Sequence, residues 1–344
     1  MMQQTTMTIQ NPEQLDPAAI GAAIAAGRQV LVQFDTLGEP GPLLPELDLL
    51  AATHGTALTI RIYGYDPRVF DTHILRALPH VASLSIDCHR NALHLETLGE
   101  LRPLRRLSLG VYELAQADIL QLENLHGLEH LHLGESAKNN IDLAPLQHYT
   151  QLSLLSIEGH ATRIATLASL PALRRLSLFR IKNKLALDFI AGLARLEQLR
   201  LQLGGRESIR EIVAPQLNKL EIIRVRGLED LGDLGRFPLL RRLWVEDQIK
   251  LTQLDVGGNP LLEQLHLLTC KGLERLDGLS GLEALGQLIV SETGLDIDAL
   301  LAQGLPAALS NMRFRTGKVK RDDEIAAMLA LTGRGGGVGL RAAR

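Results

Sequence analysis

The chain is short of aromatic residues, cysteine and lysine, and each shortage narrows what it can be. Aromatics make up 3% of the 344 residues, while 46% are hydrophobic. Leu, Ala, Ile and Val must therefore form the interior, which suits repeated layers of similar side chains better than one irregular core. The two cysteines, Cys88 and Cys270, fall eight units apart in the repeat described below. At ~4.8 Å per parallel strand that is ~40 Å, far beyond the reach of a disulfide, so the fold needs no oxidising compartment. The opening MMQQTTMTIQNPEQLD has no basic stretch followed by an apolar one, and so shows no secretory signal. No apolar run approaches the ~18 residues of a membrane helix. A soluble, cytoplasmic chain with no membrane partner is expected. The formal net charge of −3 and pI of 6.4 speak against wholesale attraction to nucleic acid. The scarcity of rings for base stacking points the same way.

What the chain has in abundance is one pattern, L-x-x-L-x-L with apolar substitutions. Clear copies are LRRLSLG (104–110), LEHLHLG (128–134), LSLLSIE (152–158), LRRLSLF (173–179), LEQLRLQ (196–202), LEIIRVR (220–226), LRRLWVE (240–246) and LEQLHLL (262–268). Weaker ones flank them: ALTIRIY (57–63), VASLSID (81–87), LGQLIVS (285–291) and LSNMRFR (309–315). Their starts advance by 24, 23, 24, 24, 21, 23, 24, 20, 22, 23 and 24 residues, too regular a step for chance. The fourth and sixth positions point to one side of a short strand. A single such strand cannot bury that side, but stacked copies build a parallel sheet over a continuous core. Between the strands, Asp118 and Asp188 are placed to cap short helices. Segments such as EDLGDLGRFP (229–238) are too rich in Gly and Pro for one.

On these residues the chain resembles the leucine-rich repeat family over roughly 57–316. Returns such as IDLAPLQHYTQL (141–152) and LEDLGDLGRFPLL (228–240) resemble the bacterial internalin type, and LTQLDVGGNPLL (251–262) is similar to a second bacterial variant. The resemblance implies an α/β leucine-rich repeat solenoid. Its curved parallel β-sheet lies on the concave side, with turns, 3-10 and short α-helices on the convex side. The family often places Asn or Cys at the ninth position to bond the turn. Here that column reads Tyr65, His89, Tyr112, Ser136, His160, Ile181, Gly204, Leu228, Gln248, Cys270, Thr293 and Gly317. Only Cys270 fits, so the family's Asn ladder is not carried over. Residues 1–56 read as an N-terminal cap: a helix begun by Asp16-Pro17 and stopped by Gly27, an edge strand at 30–34 and a linker. Residues 57–316 hold about twelve repeats, 317–332 a capping helix, and 333–344 a flexible glycine-rich tail.

No signature of nucleophilic, nucleotide-dependent or zinc-protease chemistry occurs, so no enzyme, cofactor or small-molecule substrate is expected. A metal-dependent enzyme is a remote alternative, through His130, His132, Glu158, His160, Asp87 and His89. Their diagonal spacing exceeds what zinc permits, and a metal-free chain is expected. The binding face is the better candidate. Outward positions of repeats six to ten carry Arg175, Phe179, Arg200, Arg224, Arg226, Arg242, Trp244, Glu246 and His266, which include five arginines and the only tryptophan. Trp and Arg are the side chains most enriched at binding hot spots, and Arg grips carboxylates in pairs. A partner protein with an acidic surface is expected there, and charge reversal at Arg106, on the blander N-terminal repeats, is expected to be silent. A bacterial immunity-type binder that neutralises a toxin fits this reading. The alternative is a secreted bacterial effector that binds host proteins. Oligomeric state is not specified by the sequence.

Overall fold

The structure, a computed structural model, describes residues 6–35, 40–64, 68–137 and 140–331, apart from the side chains of Cys88 and Leu331. Tyr65, the Cys88 side chain and the expected tail at 333–344 lie outside the described residues. Two compact units divide the chain, Met1–Leu173 and Arg174–Arg344.

In the first unit the strands are β1 (Met7–Gln10), β2 (Val30–Phe34), β3 (Leu58–Tyr63), β4 (Val69–Asp71), β5 (Ser83–His89), β6 (Asn91–Leu93), β7 (Arg106–Val111), β8 (His130–Leu133) and β9 (Leu154–Glu158). The main sheet runs β1-β2-β3-β5-β7-β8-β9, all parallel, and β4 pairs with β6 beside it. The outer strand is thus β1, not 30–34 as the sequence suggested. Its Met7 and Ile9 follow the strand alternation, and β2 is covered on both sides. Helix α1 (Pro17–Ala25) starts where expected: Asp16 accepts from the Ala19 amide at 2.9 Å, and Gly27 turns out of it with φ +78°. A second helix, α2 (Leu44–His54), occupies what read as a linker and buries Leu44, Leu47 and Leu50.

The second unit repeats the plan with β10 (Arg175–Phe179), β11 (Gln198–Gln202), β12 (Lys219–Ile223), β13 (Arg242–Glu246), β14 (Gln253–Asp255), β15 (Gln264–Leu268), β16 (Arg275–Asp277), β17 (Gln287–Ser291) and β18 (Asn311–Arg315). Its main sheet is β10-β11-β12-β13-β15-β17-β18, again parallel, with β14 against β16 in the returns. Helix α3 (Ile297–Ala302) is capped by Asp296, and α4 (Val319–Leu331) buries Ile325 and Leu329 beside β18.

Two local expectations are corrected. Asp118 makes no capping bond, and Asp188 sits inside its own turn; the segments Ile119–Gln121 and Asp188–Gly192 are 3-10, not α. A return of about a dozen residues must recross the unit, and the 3-10 helix covers ~2.0 Å per residue against ~1.5 Å for α. The second correction is register. Leu199 pairs with Leu220 and Leu201 with Ile222, so the eighth repeat begins at Leu217 rather than 220. Both frames satisfy the template, because Leu220, Ile223 and Val225 share the spacing of Leu217, Leu220 and Ile222. Packing decides between them: Leu217, Leu220 and Ile222 are fully buried, while Ile223 is half-exposed. Moving the frame by three residues returns a different set of side chains to the open face.

Candidate functional site

With the register fixed, three rows of side chains cross the open face of the second unit. The first is Arg175, Gln198, Lys219, Arg242, Gln264, Gln287; the second Ser177, Arg200, Glu221, Trp244, His266, Ile289; the third Phe179, Gln202, Ile223, Glu246, Leu268, Ser291. Trp244 stands at the middle of the second row. Its indole N–H donates to Glu246 Oε2 at 2.9 Å, and its ring lies 4.8 Å from that of His266, tilted by 60°. Nε2 of His266 is 3.0 Å from Gln287 Oε1. These contacts tie the indole to its own strand and to the next one. A cleft of about 150 Å³ opens beside it, lined by Lys219, Glu221, Arg242, Trp244, Gln264 and His266.

Charge on this face is more balanced than the sequence suggested. Glu221 is nearly buried between Arg200, at 2.8 Å, and Lys219, at 2.9 Å. Burial opposes its ionisation, but the hydrogen bonds from Arg200 and Lys219 outweigh that and hold its carboxyl below the usual range. Arg175 is exposed and Arg242 half-exposed. Burial pushes the His266 imidazole below its ordinary pKa.

Arg224 and Arg226 are not on this face, contrary to expectation, because of the register. Arg224 follows β12 in the left-handed region, φ +52°, and Arg226 forms a backbone bridge with Gly205. With Arg180, Lys182 and Asn183 they line a separate basic cleft of about 640 Å³ at the strand ends. There Gly204, φ +78°, lies so close to the neighbouring repeat that a Cβ would sit 2.4 Å from the Ile181 carbonyl oxygen. Arg175, Phe179, Arg200, Arg242, Trp244, Glu246 and His266 do share the open face.

The histidines considered for metal are engaged elsewhere. His160 Nε2 donates to the Gly134 carbonyl at 2.8 Å while Nδ1 accepts from the Ile141 amide at 3.1 Å. His89 Nε2 lies 3.0 Å from the Ile62 carbonyl, and His132 Nδ1 lies 2.9 Å from Ser156 Oγ. Together with Ser136, Gln248 and Cys270, which bond the Tyr112, Glu246 and Leu268 carbonyls, His89 and His160 make the ninth column a turn-bonding ladder of mixed side chains. Their variety hid the ladder from a search for Asn. The Cys270 thiol is buried, which pushes its pKa up to about 11, where it is a poor nucleophile. One cluster that sequence spacing did not bring together is Asp71, His73 and His94.

A parallel sheet built from L-x-x-L-x-L strands, backed by 3-10 returns, defines a leucine-rich repeat solenoid. Among solved structures it is similar to the internalin InlF of Listeria monocytogenes, at 20% identity and a TM-score of 0.55 over 90% of this chain and 86% of that one. A second Listeria monocytogenes protein, InlJ, matches at 14% identity and a TM-score of 0.49 over 84% of this chain and 59% of that one. The first likeness establishes the fold. No protein-family model and no curated protein matches the sequence. No helix among the described residues is long and apolar enough to cross a membrane.

Proposed function

We propose that the chain is a protein-binding module that holds its partner on the open face of the second unit, around Trp244. The observation that carries this reading is the half-exposed indole of Trp244, the only tryptophan, between Glu221 and His266 in the middle of that unit's sheet. A large rigid ring beside a cleft is the usual centre of a hot spot, and the arginines around it suit acceptors on the other side. The partner on this reading is a protein with an apolar projection for the Trp244 cleft and carboxylates for Arg175 and Arg242. Within that reading we place the chain in the bacterial cytoplasm as an immunity-type binder that neutralises a toxin by covering its surface. Arginine outnumbers lysine 28 to 8, which suits a GC-rich bacterial genome and a face built for bidentate carboxylate contacts.

The test is a photo-crosslinking residue at Gln264, beside Trp244, in the chain expressed in its own cell, with partners identified by mass spectrometry. An acidic protein should be captured by the parent chain and lost from Trp244→Ala/Arg242→Glu. Arg195→Glu, exposed in a return, should leave capture unchanged. Equal recovery of the same protein by the double variant would remove the proposed face.

A further inference from the structure

In the first unit, β4 and β6 run side by side with Asp71 opposite Leu93. The next residue, Thr72, is fully buried, and its hydroxyl donates to the backbone carbonyls of Leu93 and His94. That clamp fixes the two backbones from which Asp71, His73 and His94 project. Asp71 Oδ1 accepts from the His73 amide at 3.0 Å and lies 3.4 Å from His73 Nδ1. His94 sits in the left-handed region, φ +58°, a conformation non-glycine residues seldom adopt. Its ring stacks on that of His73 with centroids 4.0 Å apart and planes 13° apart. One carboxylate oxygen and one nitrogen from each ring all fall within 4.8 Å of one another. Glu96 Oε1 lies 3.3 Å from His94 Nδ1.

We propose that Asp71, His73 and His94 form a site for a divalent transition metal of the zinc type, which clips two consecutive repeats together. Two imidazoles and a carboxylate are a zinc donor set that leaves one position for water, and hard-oxygen ions such as calcium and magnesium are poorly served by it. Zinc–ligand bonds of ~2.0–2.1 Å need ligand atoms ~3.3 Å apart. The side chains of His73 and His94 are 39% and 42% exposed, which leaves them room to turn inward while Thr72 holds the backbone. With Nε2 of His94 as the ligand, Glu96 at Nδ1 would orient the ring, as carboxylates behind metal-bound histidines do. The charge around the stack suits a cation, since the carboxylates of Asp71 and Glu96 both attract a dication held by the two rings.

The site is tested with the tag-free full chain, titrated with ZnCl2 and with NiCl2 by calorimetry. One equivalent should bind with a Kd of ~10 µM or tighter. His73→Ala and His94→Asn, the latter chosen because Asn tolerates the left-handed backbone, should each weaken binding at least ~10-fold, and together abolish it. His126→Ala is the control, since His126 and His148 form another close histidine pair with rings 5.4 Å apart, and it should change nothing. Copper-loaded wild-type protein should show hyperfine coupling to two imidazole nitrogens by electron paramagnetic resonance, a readout that needs no variant to fold. No binding at ~100 µM zinc, binding that survives in the double variant, or a copper spectrum without nitrogen coupling would each overturn the assignment.

Discussion

The open faces of the two units are made from the same strand positions but are finished differently. In the first unit, Arg61 donates to Asp87 through Nε and a terminal nitrogen at 3.0 and 2.8 Å, to Gln33 at 3.1 Å, and lies 4.2 Å above the Tyr63 ring. Gln10 reaches the Tyr63 hydroxyl at 3.1 Å, Ser85 donates to Asp87 at 3.0 Å, and Thr59 meets Ser83 at 2.9 Å. These polar groups satisfy one another across strands, so a ligand arriving there must break bonds before it makes any. In the second unit the ion pairs around Glu221 and the Trp244–Glu246 bond leave Phe179, Ile223 and Leu268 along one row as apolar surface. One scaffold thus yields a face whose outward residues are mostly small or polar and paired across strands, and a face that leaves apolar side chains half-exposed between its ion pairs. The difference lies in side chains at outward positions, which the core does not constrain.

The largest expected effect tests the register on which that contrast depends. Leu220→Ala removes a fully buried side chain and should cost ~2–5 kcal/mol of unfolding free energy. Ile223→Ala, at a half-exposed outward position, should cost under about 1 kcal/mol. Urea melts of the two variants decide the matter. A cost for Ile223→Ala as large as that for Leu220→Ala would place Ile223 inside and put Arg224 back on the open face.

Next comes the binding half of the contrast. Trp244→Ala should weaken capture of the partner ~30-fold, about 2 kcal/mol, with only a small change in melting temperature. A loss of stability matching the loss of binding would recast Trp244 as a packing residue.

Arg61→Ala should do the opposite: a loss of ~1–2 kcal/mol in stability from breaking a charged, partly buried hydrogen-bond set, with partner capture unchanged. Arg106 is not the silent control that its position suggests. Its guanidinium donates to the Thr56 carbonyl at 3.1 Å and to Gln29 at 3.2 Å, so charge reversal there would disturb the N-terminal repeats. Arg195→Glu serves instead.

How far the sequence could be read follows from what each residue competes with. The period, the parallel sheet and the core columns were legible because apolar side chains at two-residue spacing have one way to be buried. The eighth repeat misled because Leu220, Ile223 and Val225 offer a second frame of equal hydrophobicity, and only the neighbouring Leu199 breaks the tie. Helix α2 lay inside the stretch read as a linker; its Pro45 stands in the first turn, where proline is tolerated. The Asp71, His73 and His94 cluster spans two repeats and depends on a Thr72 side chain bonding backbone, which no spacing rule reports. Of the face itself, the residues were legible on every strand whose frame was unambiguous. Their pairings were not, because which arginine meets which carboxylate is set by the cross-strand register.

The smallest effect divides the units by pH. Burial holds His126, His132 and His160 in the first unit, and His266 in the second, below their ordinary pKa. In the unfolded chain these groups take up protons at ~6.5. Below that pH the unfolded state therefore binds protons that the folded state refuses, and stability, fully present above ~6.5, declines as pH falls toward the folded values. His160 shows why the folded form resists: its Nδ1 already accepts the Ile141 amide, and protonation would set two N–H groups against each other. His160→Gln should consequently flatten the dependence of unfolding free energy on pH between ~6.5 and ~5, above the range where carboxylates titrate. Three of these four histidines lie in the first unit. Amide protection measured by hydrogen exchange should therefore fall there before it falls in the second unit on acidification. Amides of β11 to β15 losing protection ahead of those of β7 to β9 would break this distinction between the units.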